Sequence, residues 1–332
     1  MTLTLLQKGF ASSVQDLGRF GFQKYGIIVG GVMDPPSAKL ANWLVGNTDS
    51  AALIEYSFMG PSVLFTEDTL FALTGADCHP SLDRREIGTG RPCFARQGQI
   101  LTVGGLVSGS RGYLAVAGGI DTPEWFGSRS TYERAGQGGF KGRLLQDQDQ
   151  IPVGKPSEFA MRILEEMSRS GETMSKWFFS FHRSYRGTKI IRIIPDMLWK
   201  RFSEKSRHAF LTTDYQITAS SDRMGYRLEG ESLELDQPLE LFSEAVTNGS
   251  IQVPRSGQPI ILLTDHQSTG GYPRIAQVAS VDLPMLAQLG PSSKLRFHSI
   301  SVEEAEMLFV NSRKDFDLLR KRVHAQIAST VC

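Results

Sequence analysis

An apolar run ending at Leu262-Leu263 breaks into Thr264-Asp265-His266-Gln267-Ser268-Thr269-Gly270-Gly271-Tyr272-Pro273. A buried strand followed by hydroxyls, an amide, an imidazole, a glycine pair and a Tyr-Pro is a strand that delivers polar groups to a loop. Gly270 and Gly271 are expected to adopt dihedrals closed to other residues and to let a ligand approach bare backbone N–H groups, while Pro273 biases Tyr272 toward extended backbone. The plain alternative is a strand-to-turn transition, because Gly, Thr and Asp are common turn residues. His266 is the one histidine of six inside this loop, either as a scaffold hydrogen-bonding group or as an acid or base.

Elements that could position such a loop are mostly strands. The 33 glycines of the 332 residues fall in short clusters, above the usual ~7 per cent. Between them lie runs rich in β-branched and aromatic residues: Val63-Leu64-Phe65, 70–73, 100–103, 113–116, 189–194 and 260–263. Short strands with turn signals between them predict barrels or sandwiches rather than a doubly wound sheet. Helical patterning is sparse. Asp34 is expected to cap a helix over 35–45 with prolines in its first turn, and Ser301 with Glu304 forms a capping box before Ala305, Leu308 and Phe309. Leu319, Val323 and Ile327 continue an apolar stripe, expected to pack on the second of two domains. The segments read from the pattern are a first domain over 1–154, a helical linker or flap over 155–187, a second domain over 188–300 and a C-terminal amphipathic helix over 301–332. A faint echo links the halves: Arg19-Phe20-Gly21-Phe22 and Arg223-Met224-Gly225-Tyr226 share the order Arg, apolar, Gly, aromatic.

Charge excludes a polyanion as the expected partner: 36 Lys and Arg balance 35 Asp and Glu, a formal net charge of +1. No stretch has the length of a membrane span and the N-terminus does not read as a signal peptide, so the expectation is a cytoplasmic protein with no membrane partner. Cys78, Cys93 and Cys332 lack any CxxC spacing and are expected to be reduced and structural; no metal site is expected. The glycine cluster from Gly136 to Arg143 lacks the order of a phosphate loop, and no GxGxxG, GxSxG or HExxH is present.

Several further pieces occur in order: Val14-Gln15-Asp16-Leu17-Gly18-Arg19, Val32-Met33-Asp34-Pro35, Ala117-Gly118-Gly119-Ile120, Gly127-Ser128-Arg129-Ser130-Thr131, Ser221-Asp222-Arg223-Met224-Gly225-Tyr226, Ile251-Gln252-Val253-Pro254 and Thr269-Gly270-Gly271-Tyr272-Pro273. With them the chain resembles the allophanate hydrolase subunit 2 or KipA-type family, which includes the C subunit of 5-oxoprolinase and part of the carboxyltransferase region of urea carboxylase. The resemblance implies a mainly β (α+β) fold of two cyclophilin-like β-barrel domains with a small helical linker or flap. It implies one component of an ATP-dependent 5-oxoprolinase complex that opens 5-oxoproline to L-glutamate, working with a KipI-like B subunit and an A subunit. The alternatives it carries are a biotin-dependent carboxyltransferase component acting on urea-like amides, or a KipA-type regulatory protein that binds a KipI-like partner. ATP would be shared with partner subunits, and biotin would have to arrive on another protein, because the chain has no Met-Lys-Met acceptor.

An amide substrate develops an anionic oxygen on activation, so aimed donors are the main need. Arg129 could grip a carboxylate or phosphate in two parallel bonds, or make a rim ion pair. Asp222 and Arg223 offer a charged pair that could equally stabilise their own turn. Gln252 and Gln267 offer amide groups, Tyr272 a phenol, and Ser130, Thr269, Gly270 and Gly271 hydroxyl and backbone contacts. Arg129, Tyr272, Asp222 and Arg223 are thus the expected catalytic set, and the remainder the expected substrate-binding set.

Overall fold

The computed structural model describes residues 1–181 and 185–331. Residues 182–184, inside the expected linker, and Cys332 lie outside the described residues. The chain forms two compact units: residues 1–19, 30–181 and 315–331 in the first, and Phe20–Val29 with Tyr185–Lys314 in the second.

In the first unit a ten-stranded sheet is organised by Ile100–Val116. The two apolar runs read separately, 100–103 and 113–116, are the ends of this one 17-residue strand. Its glycine-rich middle interrupts the hydrophobic pattern without ending the strand. The N-terminal half pairs with Met59–Phe65 and Ser81–Leu82, and the C-terminal half with Leu53–Ser57 and Thr69–Cys78. Gly112 is required there, because a Cβ would overlap the ring of buried Tyr56. Leu3, Leu5, Val63, Phe65, Phe71, Leu101 and Val116 fill one face. Burial raises the Cys78 thiol to about 11 and the Cys93 thiol to about 12, so both stay protonated and inert.

The other face is covered by helices. Pro35–Leu44 begins as expected: the Asp34 carboxylate accepts from the Ser37 N–H at 3.2 Å and from its hydroxyl at 2.8 Å, with proline in the first turn. Glu158–Ser170 is capped by Ser157 and stopped by Gly171 in the left-handed region. It buries Ala160, Ile163 and Met167 in one cluster with Leu40, Leu44 and Leu70, which Trp177, Phe179 and Phe181 join. The stretch expected to link or flap is therefore a packed layer of the first unit as far as residue 181.

The C-terminal helix corrects an expectation. It runs unbroken over Val302–Val331, opened by the expected capping box: the Glu304 N–H donates to the Ser301 hydroxyl at 3.1 Å, and the Ser301 N–H to the Glu304 carboxylate at 2.9 Å. Leu319, Val323 and Ile327, expected on the second domain, pack in the first unit, to which the helix belongs from residue 315, while residues 302–314 belong to the second. Phe316 lies 4.7 Å from Trp43, and Val323 and Ile327 are fully buried beside Leu40 and Leu44. The sequence shows the stripe but not the surface that receives it.

In the second unit seven strands close into a barrel in the order Lys189–Pro195, Arg274–Val278, Ser250–Gln252, Ile260–Leu262, Gly225–Glu229, Tyr215–Ile217, Lys294–Ser299. All pairings are antiparallel except the last, which closes Lys294–Ser299 onto Lys189–Pro195 in parallel. Alternation puts Ile191, Ile193, Ile251, Ile261, Ile275, Leu295 and Phe297 inside. Phe210, from the helix Glu204–Thr212, stacks on Phe297 at 4.3 Å. Outside the barrel, the two-residue strands Glu244–Ala245 and Thr269–Gly270 pair with each other.

Ile327 has no exposed surface, so Ile327→Ala is expected to destabilise the protein by about 2–4 kcal/mol in urea unfolding. A loss under about 0.5 kcal/mol would mean the helix end does not hold this layer.

Candidate functional site

The loop 263–273 is fixed from both sides. As the strand Ile260–Leu262 ends, the Leu263 N–H donates to the Met224 carbonyl at 3.0 Å and the Asp265 N–H to the Arg223 carbonyl at 2.9 Å. The Arg223 guanidinium donates twice to Asp265, at 2.8 and 3.0 Å. The Asp222 carboxylate accepts from the N–H groups of Met224 and Gly225 at 2.8 and 3.2 Å. Asp222 and Arg223 thus shape their turn and anchor the loop. The ring of His266 is buried, with Nδ1 2.6 Å from the Gln267 carbonyl. Burial pushes its pKa below the ordinary 6.5, so at neutral pH it is an uncharged scaffold group donating to that carbonyl. Gln267 and Thr269 are exposed.

Beyond His266 the chain brings together Gln252, Gly270 and Arg274. Gln252 is paired with Arg274 across adjacent barrel strands. Arg274 donates to Asp196 at 3.2 Å and to the Ala245 carbonyl at 3.1 Å, and pairs with Glu244 at 3.1 Å. Gln252 is 1 % exposed, and its Nε2 has no hydrogen-bond partner. A Cβ on Gly270 would lie 2.5 Å from that nitrogen. Neither Gly270 nor Gly271 is in the left-handed region, contrary to the expectation from their type. A Cβ on Gly270 would have to turn the end of the Gln252 side chain aside, whereas nothing approaches a Cβ on Gly271 closer than 3.6 Å. Tyr272, two residues on from Gly270, is 51 % exposed. An unmet buried amide N–H costs roughly 1–3 kcal/mol, a cost that a water or a ligand oxygen can remove. The cluster can accordingly bind a carbonyl or carboxylate oxygen.

Sequence reasoning passed over Arg274, although it directly follows the Thr269-to-Pro273 motif at the start of a strand. Arg129 and Ser130 belong to the first unit. The Ser130 hydroxyl donates to buried Asp16 at 2.6 Å and accepts from the Asp16 N–H at 2.9 Å. The Arg129 N–H donates to the same carboxylate at 2.6 Å, and its guanidinium pairs with Asp121 at 3.1 Å and with Glu124. This is the rim ion pair named as the alternative for Arg129. The echo between Arg19 and Arg223 has no common local structure: Arg19 is fully buried under Trp125 and bonded to carbonyls, while Arg223 leads into a strand. Among the described residues no group of His, Cys, Asp or Glu is arranged to hold a metal ion, and no helix is long and apolar enough to cross a membrane.

Residues 25–299, which include the whole of this cluster, match the family described as carboxyltransferase domain, subdomain A and B. The chain belongs to that family. It is 38% identical to the C subunit of 5-oxoprolinase from Escherichia coli K12 over 322 residues, covering 97% of this chain and 99% of that protein. It is 36% identical to the Haemophilus influenzae protein of the same name, covering 94% of this chain and 96% of that one. The crystal structure of Kluyveromyces lactis urea carboxylase is similar with a TM-score of 0.82 at 28% identity over 95% of this chain, which spans 29% of that larger chain. The barrel architecture of the family member is therefore the mainly β fold expected from the strand pattern.

Gly270→Ala is expected to cost about 1–3 kcal/mol in urea unfolding, because the methyl group must displace the Gln252 amide. Gly271→Ala should stay within about 0.5 kcal/mol of wild type, and Gln252→Ala combined with Gly270→Ala should recover part of the loss. Equal costs at 270 and 271 would contradict the contact. His266 gives a pH dependence of known sign. The unfolded chain binds its proton below the ordinary value near 6.5 while the folded chain does not, so stability falls as pH drops from about 7 toward the folded pKa. His266→Gln should flatten that slope in denaturant midpoints measured between about pH 7 and 5; an unchanged slope would place a titrating His266 in the folded state.

Proposed function

We propose that the chain is the C subunit of an ATP-dependent 5-oxoprolinase, acting in the cytoplasm with the A and B subunits. The supporting resemblance is that to the bacterial C-subunit proteins over nearly their whole length. The observation that carries the reading to a site is the unpartnered Nε2 of Gln252 beside Gly270. A lactam presents a carbonyl oxygen as acceptor, and ring opening adds water to the carbonyl carbon, breaks the C–N bond and releases the nitrogen as the amine of glutamate. In this reading Gln252 donates to the lactam oxygen, where negative charge develops. The Gly270-Gly271 backbone admits the ring, and Tyr272 closes its exposed side. Arg274, held by Asp196 and Glu244, fixes the strand end that carries the amide. ATP is bound with the partner subunits and is hydrolysed to ADP and phosphate in the same cycle.

A carboxyl-transfer reading draws on one observation, the likeness to urea carboxylase. There the same amide would hold a urea-like carbonyl, and carboxybiotin would come on another protein.

The test is 5-oxoproline-dependent phosphate release by the purified chain alone and co-expressed with the A and B subunits. Turnover is expected only in the complex. Gln252→Leu should keep or raise stability, since it removes an unmet polar group, yet lower turnover by about tenfold or more, the effect of losing one oxyanion donor. Turnover by the chain alone, or a fully active Gln252→Leu complex, would overturn the reading. Inhibition of a urea-dependent activity by avidin would transfer it to carboxyl transfer.

A further inference from the structure

The second unit has a cleft that the proposed function does not use. It has a volume of about 450 Å³ and is lined by Thr218, Ser220, Arg227, Glu229, Ser256 and Gln258, with Pro254, Pro259 and Ile260 supplying apolar surface. It lies at the other end of a strand pair from the loop anchored by Arg223. Gly225 faces Leu262 at the loop end of that pair, and Arg227 faces Ile260 at the cleft end.

Arg227 and Glu229 are two residues apart on one strand, so both project from the same face, with Cα atoms roughly 7 Å apart. Both are exposed, while Leu228 between them points into the barrel. Three charged pairs lie elsewhere on this barrel, Arg223–Asp265, Arg274–Asp196 and Arg192–Asp282, while other exposed charges such as Arg255 and Lys294 stand in solvent. The side chains of Arg227 and Glu229 pair neither with each other nor with any other described residue.

The walls are set in advance. The Gln258 amide bonds both the N–H and the carbonyl of Gly230, at 3.0 and 3.1 Å, and the Thr218 and Ser220 hydroxyls bond each other at 2.9 Å. The Arg227 backbone is also satisfied, its N–H by the Ser221 hydroxyl at 3.0 Å and its carbonyl by the Thr218 N–H at 2.9 Å. What the cleft still offers is one cation, one anion, hydroxyls and a small apolar wall.

We propose that this cleft binds a free α-amino acid, its carboxylate on Arg227, its ammonium on Glu229 and its side chain toward Pro254, Pro259 and Ile260. A ligand with both charges satisfies both side chains at once, whereas one with a single charge leaves the other unpaired. The volume lies within the usual range for small-molecule sites, roughly 300–1,000 Å³.

The test is a thermal-shift panel of the common α-amino acids on the full chain at about 10 mM, with calorimetric titration of those that shift it. At least one is expected to bind saturably at one site per chain. Its deaminated acid and its decarboxylated amine should each bind about tenfold more weakly or worse. Arg227→Gln and Glu229→Gln, both surface changes outside the Gln252 cluster, should each weaken binding to a similar degree while circular dichroism stays that of the wild type. No shift across the panel, equal binding of the singly charged analogues, or binding untouched by both substitutions would overturn the proposal. Because none of these readouts uses 5-oxoproline or ATP, failure here leaves the ring-opening reading standing, and failure there leaves this one.

Discussion

A single carboxylate organises the first unit. Asp16 is almost fully buried, yet it accepts from the Gly18 and Arg129 N–H groups and from the hydroxyls of Ser128 and Ser130. A carboxylate out of water is tolerable only when its lone pairs are met in this way. The consequences spread outward. The Ser130 carbonyl is turned onto Arg19, and Gly138 must lack a side chain because a Cβ would overlap that same oxygen. The Thr131 N–H and hydroxyl both donate to the Val14 carbonyl at 2.9 Å, which ties the loop to the strand Ala11–Gln15. That strand in turn registers on Leu53–Ser57, and Leu53–Ser57 on the long strand Ile100–Val116.

The second unit solves its loop ends similarly. Arg192 meets Asp282 through its backbone N–H at 2.7 Å and its Nε at 3.0 Å, and the contact raises the guanidinium pKa. Arg223 and Asp265 lock the turn to the loop across 42 residues of sequence. Half-buried pairs of this kind add little net stability, because desolvation offsets much of the attraction. Removing one partner strands the other, so their main effect is on which conformation the loops adopt.

This is also why the fold was more legible than the site. Caps are local: Asp34, and Ser301 with Glu304, announce helix starts through residues three positions away, and both bonds form. Strand runs announce themselves by composition, except where glycines hid the continuity of Ile100–Val116. The residue types that look catalytic are different, because whether an Arg or Ser is available depends on acceptors that composition does not place. Ser128 and Ser130 find Asp16 at separations of 112 and 114 residues. Arg129 finds two acids on its own loop, and Asp222 its own turn. The glycine pair was legible as a loop but not in its detail, since crowding by Gln252, not backbone dihedral, distinguishes Gly270 from Gly271.

Gln252 Nε2, like Arg129 Nε and Thr122 Oγ1, is a buried polar atom without a protein hydrogen-bond partner, and it lies beside Gly270. Gln252 lies at a register irregularity where the strand Ser250–Gln252 meets Arg274–Val278. Its neighbours there hold Arg274 with two carboxylates and a backbone carbonyl, but none turns an acceptor to its Nε2. An apolar side chain of similar size at 252 would avoid the desolvation cost, and a Cβ at 270 would crowd the amide. The sequence has neither. The barrel therefore fixes the Gln252 amide without a protein acceptor, and any oxygen that reaches it, water included, would relieve the penalty. That is the energetic arrangement expected of a preorganised site, in which the fold rather than the ligand supplies the orientation.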